Sequence, residues 1–250
     1  MRFLAAVTAI GLLALVAPVH KALASGYSLF GDAQIVSPGN NSPHAVELRS
    51  TCPSGYPTCF GDNSFTFGGT DFDIPAGLTF ANFLTLATDY MFTQGSCGGG
   101  SPRFQINVTD GTVVGTGNIQ VYIGPAPTYT LCPSNSWGST GDLLEGSKLI
   151  DTSQLPLGNF YDPYNVAVTK YGSYAVTGVQ LVADGGWFPP PGSPQTVQAD
   201  NVDINGTIYT FDQPQTKGEC KKGGWEVVTR TDNSTFKNQG DCVSYFNTGK

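Results

Sequence analysis

Residues 196–211 read Thr196-Val197-Gln198-Ala199-Asp200-Asn201-Val202-Asp203-Ile204-Asn205-Gly206-Thr207-Ile208-Tyr209-Thr210-Phe211. Two runs rich in β-branched and aromatic residues flank an Asn-Gly pair. Both central positions of a type I′ turn need positive φ, which Asn-Gly tolerates, so the stretch predicts a β-hairpin. Outward from it, Phe104-Gln105-Ile106-Asn107-Val108 alternates apolar and polar residues. Val176-Thr177-Gly178-Val179-Gln180-Leu181-Val182 does much the same. A period of two is the mark of a strand with one buried face. Similar runs at 28–36, 44–50, 64–74, 78–92, 118–123 and 128–131 lie between Gly, Pro, Asn and Asp clusters. One helix is predicted, with Asp162 as N-cap, Pro163 at its first position, residues 164–171 as its body and Gly172 as its stop. About ten short strands with one short helix predict an all-β, two-sheet jelly-roll sandwich.

Composition supports that class. Only 12% of the 250 residues are charged, about half the share of an ordinary soluble domain, while Gly and Pro number 32 and 17. Coiled coils and charged disordered chains are excluded. The net charge of −7, without a basic stripe, argues against nucleic acid as a partner.

Residues 1–24 read as a cleaved secretory signal: Arg2, an apolar run, then Ala22-Leu23-Ala24. No later segment is apolar for long enough to span a membrane, so a secreted, extracellular protein is expected. Cys52, Cys59, Cys97, Cys132, Cys220 and Cys242 all follow the signal. An even count in an exported chain reads as disulfides, and proximity favours Cys52–Cys59, Cys97–Cys132 and Cys220–Cys242.

Residues 25–212 form the predicted sandwich domain and 213–216 a linker. Residues 217–250 differ in composition: Lys217, Lys221, Lys222, Arg230, Lys237 and Lys250 gather there. A turn, a strand pair and a terminal helix are expected, a small β/α appendage with Trp225 and Phe236 as its core. A segment so short needs its disulfide to hold together. Its lysines could meet an anionic surface or simply be solvated.

Two resemblances follow. Phe30-Gly31-Asp32-Ala33, Pro38-Gly39-Asn40 and Ala45-Val46-Glu47-Leu48 near the start, with Gln198-Ala199-Asp200-Asn201-Val202-Asp203-Ile204 near the end, resemble carbohydrate-binding-module jelly rolls of the galactose-binding-like kind. That resemblance implies glycan binding. It also implies a structural calcium ion held by Asp200 with Asp32 and Glu47, oxygen ligands suited to that cation; hydrogen bonding of Asp200 to a turn is the alternative. Gly95-Ser96-Cys97-Gly98-Gly99-Gly100-Ser101-Pro102-Arg103-Phe104, together with the tail strings Cys220-Lys221-Lys222-Gly223-Gly224-Trp225 and Phe236-Lys237-Asn238-Gln239-Gly240-Asp241-Cys242-Val243, resembles a group of secreted bacterial proteins. This second resemblance implies export and carries no activity.

The chemistry of the residues favours binding over catalysis. His44 is the one histidine outside the signal, and no Gly-x-Ser-x-Gly elbow occurs. Asp71 and Asp73 share a face of a predicted strand and could act as a carboxylate pair in a polysaccharide hydrolase or lyase; a solvated strand face is the other reading. Asp200 and Asp203 fall on opposite faces of a regular strand. Sugars present C–H faces to aromatic rings and hydroxyls to planar polar groups. Trp187, Trp137 and Tyr161, with Arg103 and Asp89, are therefore the candidate ligand residues; Tyr164, Phe188 and Asn159 are further loop candidates. The Cys97–Cys132 bridge is expected to hold Trp137 near Gly98–Gly100 and Arg103. The expected function is a secreted, non-catalytic sandwich binding glycan or cell-surface polymer. A structural envelope protein without a small ligand is the third reading.

Overall fold

The computed structural model describes residues 26–55, 57–146, 148–184 and 193–249. The signal at 1–24, Trp187 and Phe188 lie outside the described residues. In chain order the elements are β1 (Tyr27–Gly31), β2 (Ala33–Val36), β3 (Ala45–Ser50), α1 (Thr58–Gly61), β4 (Gly68–Phe72), β5 (Leu86–Gln94), β6 (Arg103–Thr109), β7 (Thr116–Tyr122), β8 (Gly138–Ser139), β9 (Leu149–Ile150), β10 (Asp162–Pro163), α2 (Tyr164–Tyr171), β11 (Ala175–Ala183), β12 (Gln195–Ile204), β13 (Thr207–Tyr209) and α3 (Gln239–Thr248).

Two antiparallel sheets face each other. One runs β1-β4-β11-β6-β7; the other runs β2-β3-β12-β5-β8, with β13 also paired to β12. The alternation read in β6 sets its faces: Phe104, Ile106 and Val108 are buried between the sheets, while Arg103, Gln105 and Asn107 are half-buried on the outer side. Each such fully buried apolar side chain contributes about 1.5–3 kcal/mol. The core continues through Ile119, Val121, Val179, Leu181, Val197, Ala199 and Phe92. The predicted hairpin is present, with β12 and β13 joined at Asn205-Gly206, both at positive φ.

Local irregularities break the simple alternation. The expected strand at 28–36 is two strands in different sheets, divided at Asp32. Gly31 makes that crossing with φ +62°, and a Cβ there would stand 2.1 Å from the Phe67 carbonyl oxygen. In β11 a bulge between Val176 and Gly178 lets Val176, Val179 and Leu181 all face the core despite their uneven spacing. In β12 a second bulge falls between Asp200 and Asp203, where Asn201 has φ 49°. The extra residue shifts the side-chain phase, so Asp200 and Asp203 share the outer side rather than opposite faces.

Other expectations need correction. Residues 128–131 form a turn rather than a strand, with Tyr129 and Leu131 at positive φ. The strand expected at 64–74 is confined to β4, which leaves Asp73 beyond its end. Helix α2 begins at Tyr164 with no side-chain cap. The Asp162 carboxylate instead binds Thr152, Asn159 and Lys170, because these three donors converge on it from its own loop and from α2. Gly172 does end the helix.

All three disulfides pair as proximity suggested. The tail packs Cys220, Val228, Phe236 and Cys242 into its own small core, with Trp225, Val243 and Tyr245 against it. Its expected strand pair is reduced to one bridge, Thr229 with Thr235. The tail docks on the sandwich beside β13: the Asn233 side chain bonds the Thr210 hydroxyl and the Ile208 carbonyl, and the Thr229 amide donates to the Asp212 carbonyl. Among the described residues no helix is long and apolar enough to cross a membrane.

Candidate functional site

A cleft of about 590 Å³ opens where β6 and β7 meet the loops after β7, β9 and β11. Its walls carry Arg103, Gln120, Tyr122, Tyr129, Asp151, Tyr161 and Asp184. Arg103 opens β6 and pairs in register with Tyr122 at the end of β7, so both project from the outer side of the five-stranded sheet. Asp184 follows β11 directly, which places it beside Arg103 across the next strand. The guanidinium meets the carboxylate end to end, Nη1 to Oδ1 and Nη2 to Oδ2 both at 2.6 Å. Nη1 also donates to the Gly100 carbonyl and Nη2 to the Gln105 amide oxygen. Planar Arg–carboxylate pairing of this kind fixes both side chains.

The aromatic wall is built from loops. Tyr129 and Tyr161 lie with rings nearly parallel, centroids 5.8 Å apart and planes 8° from coplanar. Tyr122 meets Tyr129 edge-on at 5.3 Å. Tyr129 is buried and donates its hydroxyl to the Leu149 carbonyl, whereas Tyr161 is 53% exposed. Phe160, beside it in the chain, is also exposed. Tyr122 donates its hydroxyl to Asp151 at 2.5 Å; burial, reinforced by that carboxylate, pushes its phenol well above the usual range and keeps it a neutral donor. Asp151 also accepts the Ser153 amide.

A polar ladder leads out of this cleft. In register across the outer face stand Ser28, Asp71, Gln180, Gln105 and Gln120, one from each of the five strands. Hydrogen bonds run along it in one direction: Arg103 to Gln105, Gln105 to Gln180, Gln180 to Asp71. Each glutamine amide retains a second N–H and further acceptor capacity.

The structure brings together two of the sequence candidates, Arg103 and Tyr161. Trp137 is half-buried just before β8, at the edge of the other sheet, and is not among the cleft-lining residues. The bridge expected to bring it to Arg103 forms, but the intervening residues carry it the other way. Asp89 lies on β5 opposite Asp200 and accepts from the side-chain amides of Asn40 and Asn201. Asp71 is a rung of the ladder, while Asp73 donates its backbone amide to the Gly26 carbonyl, just before β1. Tyr164 packs on Phe80 and Asn159 binds Asp162.

The carboxylates expected to share a cation have separate partners. Glu47 is held by Gln34, Arg49 and Gln198, which together keep it below the usual carboxylate range despite its burial. Asp200 accepts from the Ser42 hydroxyl and from the amides of Asn40 and Asn201. Asp32 uses its backbone to tie the Phe67 carbonyl and the Arg49 amide. Among the described residues no group of three or more His, Cys, Asp or Glu is arranged to hold a metal ion.

Sequence reading missed Tyr122, Tyr129, Asp151, Asp184 and the glutamine ladder. The signal for the ladder was available: Gln105 and Gln180 sit at polar positions of the two alternating runs that fixed the fold. Tyr129 and Asp184 carry no such pattern, since their place depends on loop paths.

No protein-family model matches this chain, and no curated protein matches it. Among solved structures it is similar to the family 11 carbohydrate-binding module of a cellulosomal cellulase of Clostridium thermocellum, at 14% identity over 72% of this chain and 86% of that one, with a TM-score of 0.39. A family 11 module from the same organism, in complex with a β-1,3-1,4-mixed-linked tetrasaccharide, matches at 14% identity over 74% and 91%, with a TM-score of 0.41. An exo-β-agarase matches at 14% identity and a TM-score of 0.32; the match spans 74% of this chain and 24% of that one.

Proposed function

We propose that this chain is an exported, non-catalytic glycan-binding protein whose site is the cleft between Arg103 and Tyr161. One observation carries the reading: an exposed tyrosine face stands in the same cleft as fixed, planar polar groups. A pyranose ring can lay its C–H face on Tyr161 while its hydroxyls meet Arg103, Asp184 and Gln120. The polar side chains are already braced by one another, so little ordering entropy is lost when a ligand arrives.

The charges of the cleft favour a neutral sugar. Arg103 is matched by Asp184, and Asp151 adds a further carboxylate, so an acidic glycan would meet repulsion. The same pairing supports binding rather than hydrolysis. A glycosidase needs two carboxyl groups free to act on the glycosidic bond. Here Asp184 is committed to a cation and Asp151 accepts from a phenol and an amide.

The test is affinity electrophoresis of the full chain against xylan, mannan, hydroxyethylcellulose, mixed-linkage β-glucan and agarose, with polygalacturonate as the acidic control. Retardation by a neutral polymer, lost in Tyr161→Ala, is expected. Release of reducing ends, or retardation by polygalacturonate alone, would overturn the reading.

A further inference from the structure

The outer face of the five-stranded sheet has a second aromatic end. Phe30 on β1 shares a register row with Tyr122 on β7, the row running Phe30, Gly69, Val182, Arg103, Tyr122. Its ring lies over Gly69: a Cβ at that glycine would stand 2.2 Å from the nearest ring carbon. Absence of a side chain at position 69 is what allows the phenyl ring to lie against the sheet. The neighbouring Phe67 ring, 6.2 Å away centroid to centroid, is 47% exposed. Neither ring belongs to the packed core. Between this aromatic pair and the tyrosine cleft runs the polar ladder from Ser28 to Gln120.

We propose that Phe30 and Phe67 form a second sugar-stacking subsite, and that one extended glycan chain crosses all five strands from there to Tyr161. The inference rests on the glycan-binding reading of the cleft. It deepens that reading by naming the ligand form: an internal segment of a polymer, not a monosaccharide or a chain end. Strands lie about 4.8 Å apart, so the four steps from β1 to β7 cover about 19 Å, roughly the length of four pyranose rings. The arrangement suits such a chain in kind as well as length. Aromatic faces at both ends grip sugar rings, and the amides between them present free N–H groups and acceptor lone pairs to hydroxyls in any order. A short sugar in the tyrosine cleft would leave Phe30 and Phe67 untouched.

The experiment compares wild type, Phe67→Ala, Phe30→Ala, Phe67→Trp and Tyr161→Ala as full-length proteins. Each is run against the same neutral polymers, and against the disaccharide to hexasaccharide series of whichever polymer retards wild type. The expected result is that wild-type affinity rises with length up to four or more sugars. Phe67→Ala and Phe30→Ala should weaken polymer and hexasaccharide binding roughly 10-fold, the scale of one lost aromatic contact. Both should leave disaccharide binding unchanged, and Phe67→Trp should retain polymer affinity. Phe67 is exposed enough that its replacement spares folding, and a circular-dichroism melt checks Phe30→Ala. If Tyr161→Ala loses binding while both phenylalanine variants match wild type at every length, the second subsite is refuted and the cleft reading stands. If wild type binds none of the polymers, the cleft reading fails and the second subsite fails with it.

Discussion

Arg103 and Asp184 meet end to end: two parallel hydrogen bonds of 2.6 Å join groups whose side chains are 12% and 25% exposed. Such a pair is intermediate between a surface bridge, worth under about 1 kcal/mol, and a buried one whose breakage costs about 3–5 kcal/mol. Arg103→Ala should therefore destabilise the fold by about 2 kcal/mol, because Asp184 is left without its partner, and should also lower glycan affinity. Arg103→Lys keeps the charge but loses the fork, so it should recover only part of either loss. Urea titration of the three proteins measures the first effect. Equal stability of all three would show that the pair is screened and does not brace the cleft.

Tyr161 and Tyr129 stack on one another but have different tasks. Tyr161 is 53% exposed, and its replacement by alanine should change stability by no more than about 0.5 kcal/mol. The same change should weaken glycan binding about 10-fold. Tyr129 is buried with its hydroxyl bonded 3.0 Å from the Leu149 carbonyl. Tyr129→Ala should cost about 3 kcal/mol as well as affinity, since the loop loses its anchor. Calorimetry of folding and of binding separates the two. A stability loss from Tyr161→Ala equal to that from Tyr129→Ala would show that the exposed ring is a packing residue.

The tail is held by a bridge between residues 22 apart and by a core of Cys220, Val228, Phe236 and Cys242. Closing a loop of that length stabilises by about 3 kcal/mol through the unfolded chain, more than so small a core can replace. The double variant Cys220→Ser, Cys242→Ser should open the tail while the sandwich stays folded. Limited proteolysis should then cut within residues 217–249 and leave a stable body. Protection of the tail equal to wild type would mean that its docking through Asn233 and Thr229 suffices.

The layered sandwich was legible because its strands obey a period of two with local turn residues between them. Phe104, Ile106 and Val108 announced their own burial, and Asn205-Gly206 announced its hairpin. The transfer of the chain between sheets at Gly31 was not legible. A glycine followed by Asp32 inside an alternating run looks like a tolerated irregularity, and only the Phe67 carbonyl packed against it shows the need for positive φ. The bulge at Asn201 was hidden for a related reason: an αL residue in a strand changes which face every later side chain takes, and Asn is common enough elsewhere to give no warning. The cleft was half legible. Arg103 was legible as a planar polar group suited to sugar hydroxyls, and Tyr161 as an aromatic in a loop. Their partners Asp184 and Tyr129 come from loops whose paths depend on the folded sheets, where sequence pattern carries no distance information.

Asp212 links the sandwich to pH. It is 7% exposed, its Oδ1 accepts the His44 amide at 3.0 Å, and Asp200, fully buried, lies close enough to repel it. Burial first, and the charge of Asp200 second, push its carboxyl up to about 6, against the pull of the His44 amide. His44 is itself held below the usual imidazole range by burial, which outweighs Glu219 at 3.5 Å from its Nε2, so it adds no positive charge near neutrality. The native protein thus binds the Asp212 proton more tightly than the unfolded chain, where aspartate ionises near pH 4. Its contribution to stability is full below about pH 4 and is lost as the pH rises toward 6, a change on the order of 2–3 kcal/mol. Glu47 and Asp162, whose carboxyls sit below their usual values, act in the opposite sense and lose stability as the pH falls. Substitution isolates the Asp212 effect from theirs. Asp212→Asn keeps the oxygen that accepts the His44 amide and removes the charge. The variant should be about 2 kcal/mol more stable than wild type at pH 7 and indistinguishable from it at pH 4, by urea titration at each pH. An equal difference at both pH values would assign the gain to packing and remove Asp212 from the titration of the fold.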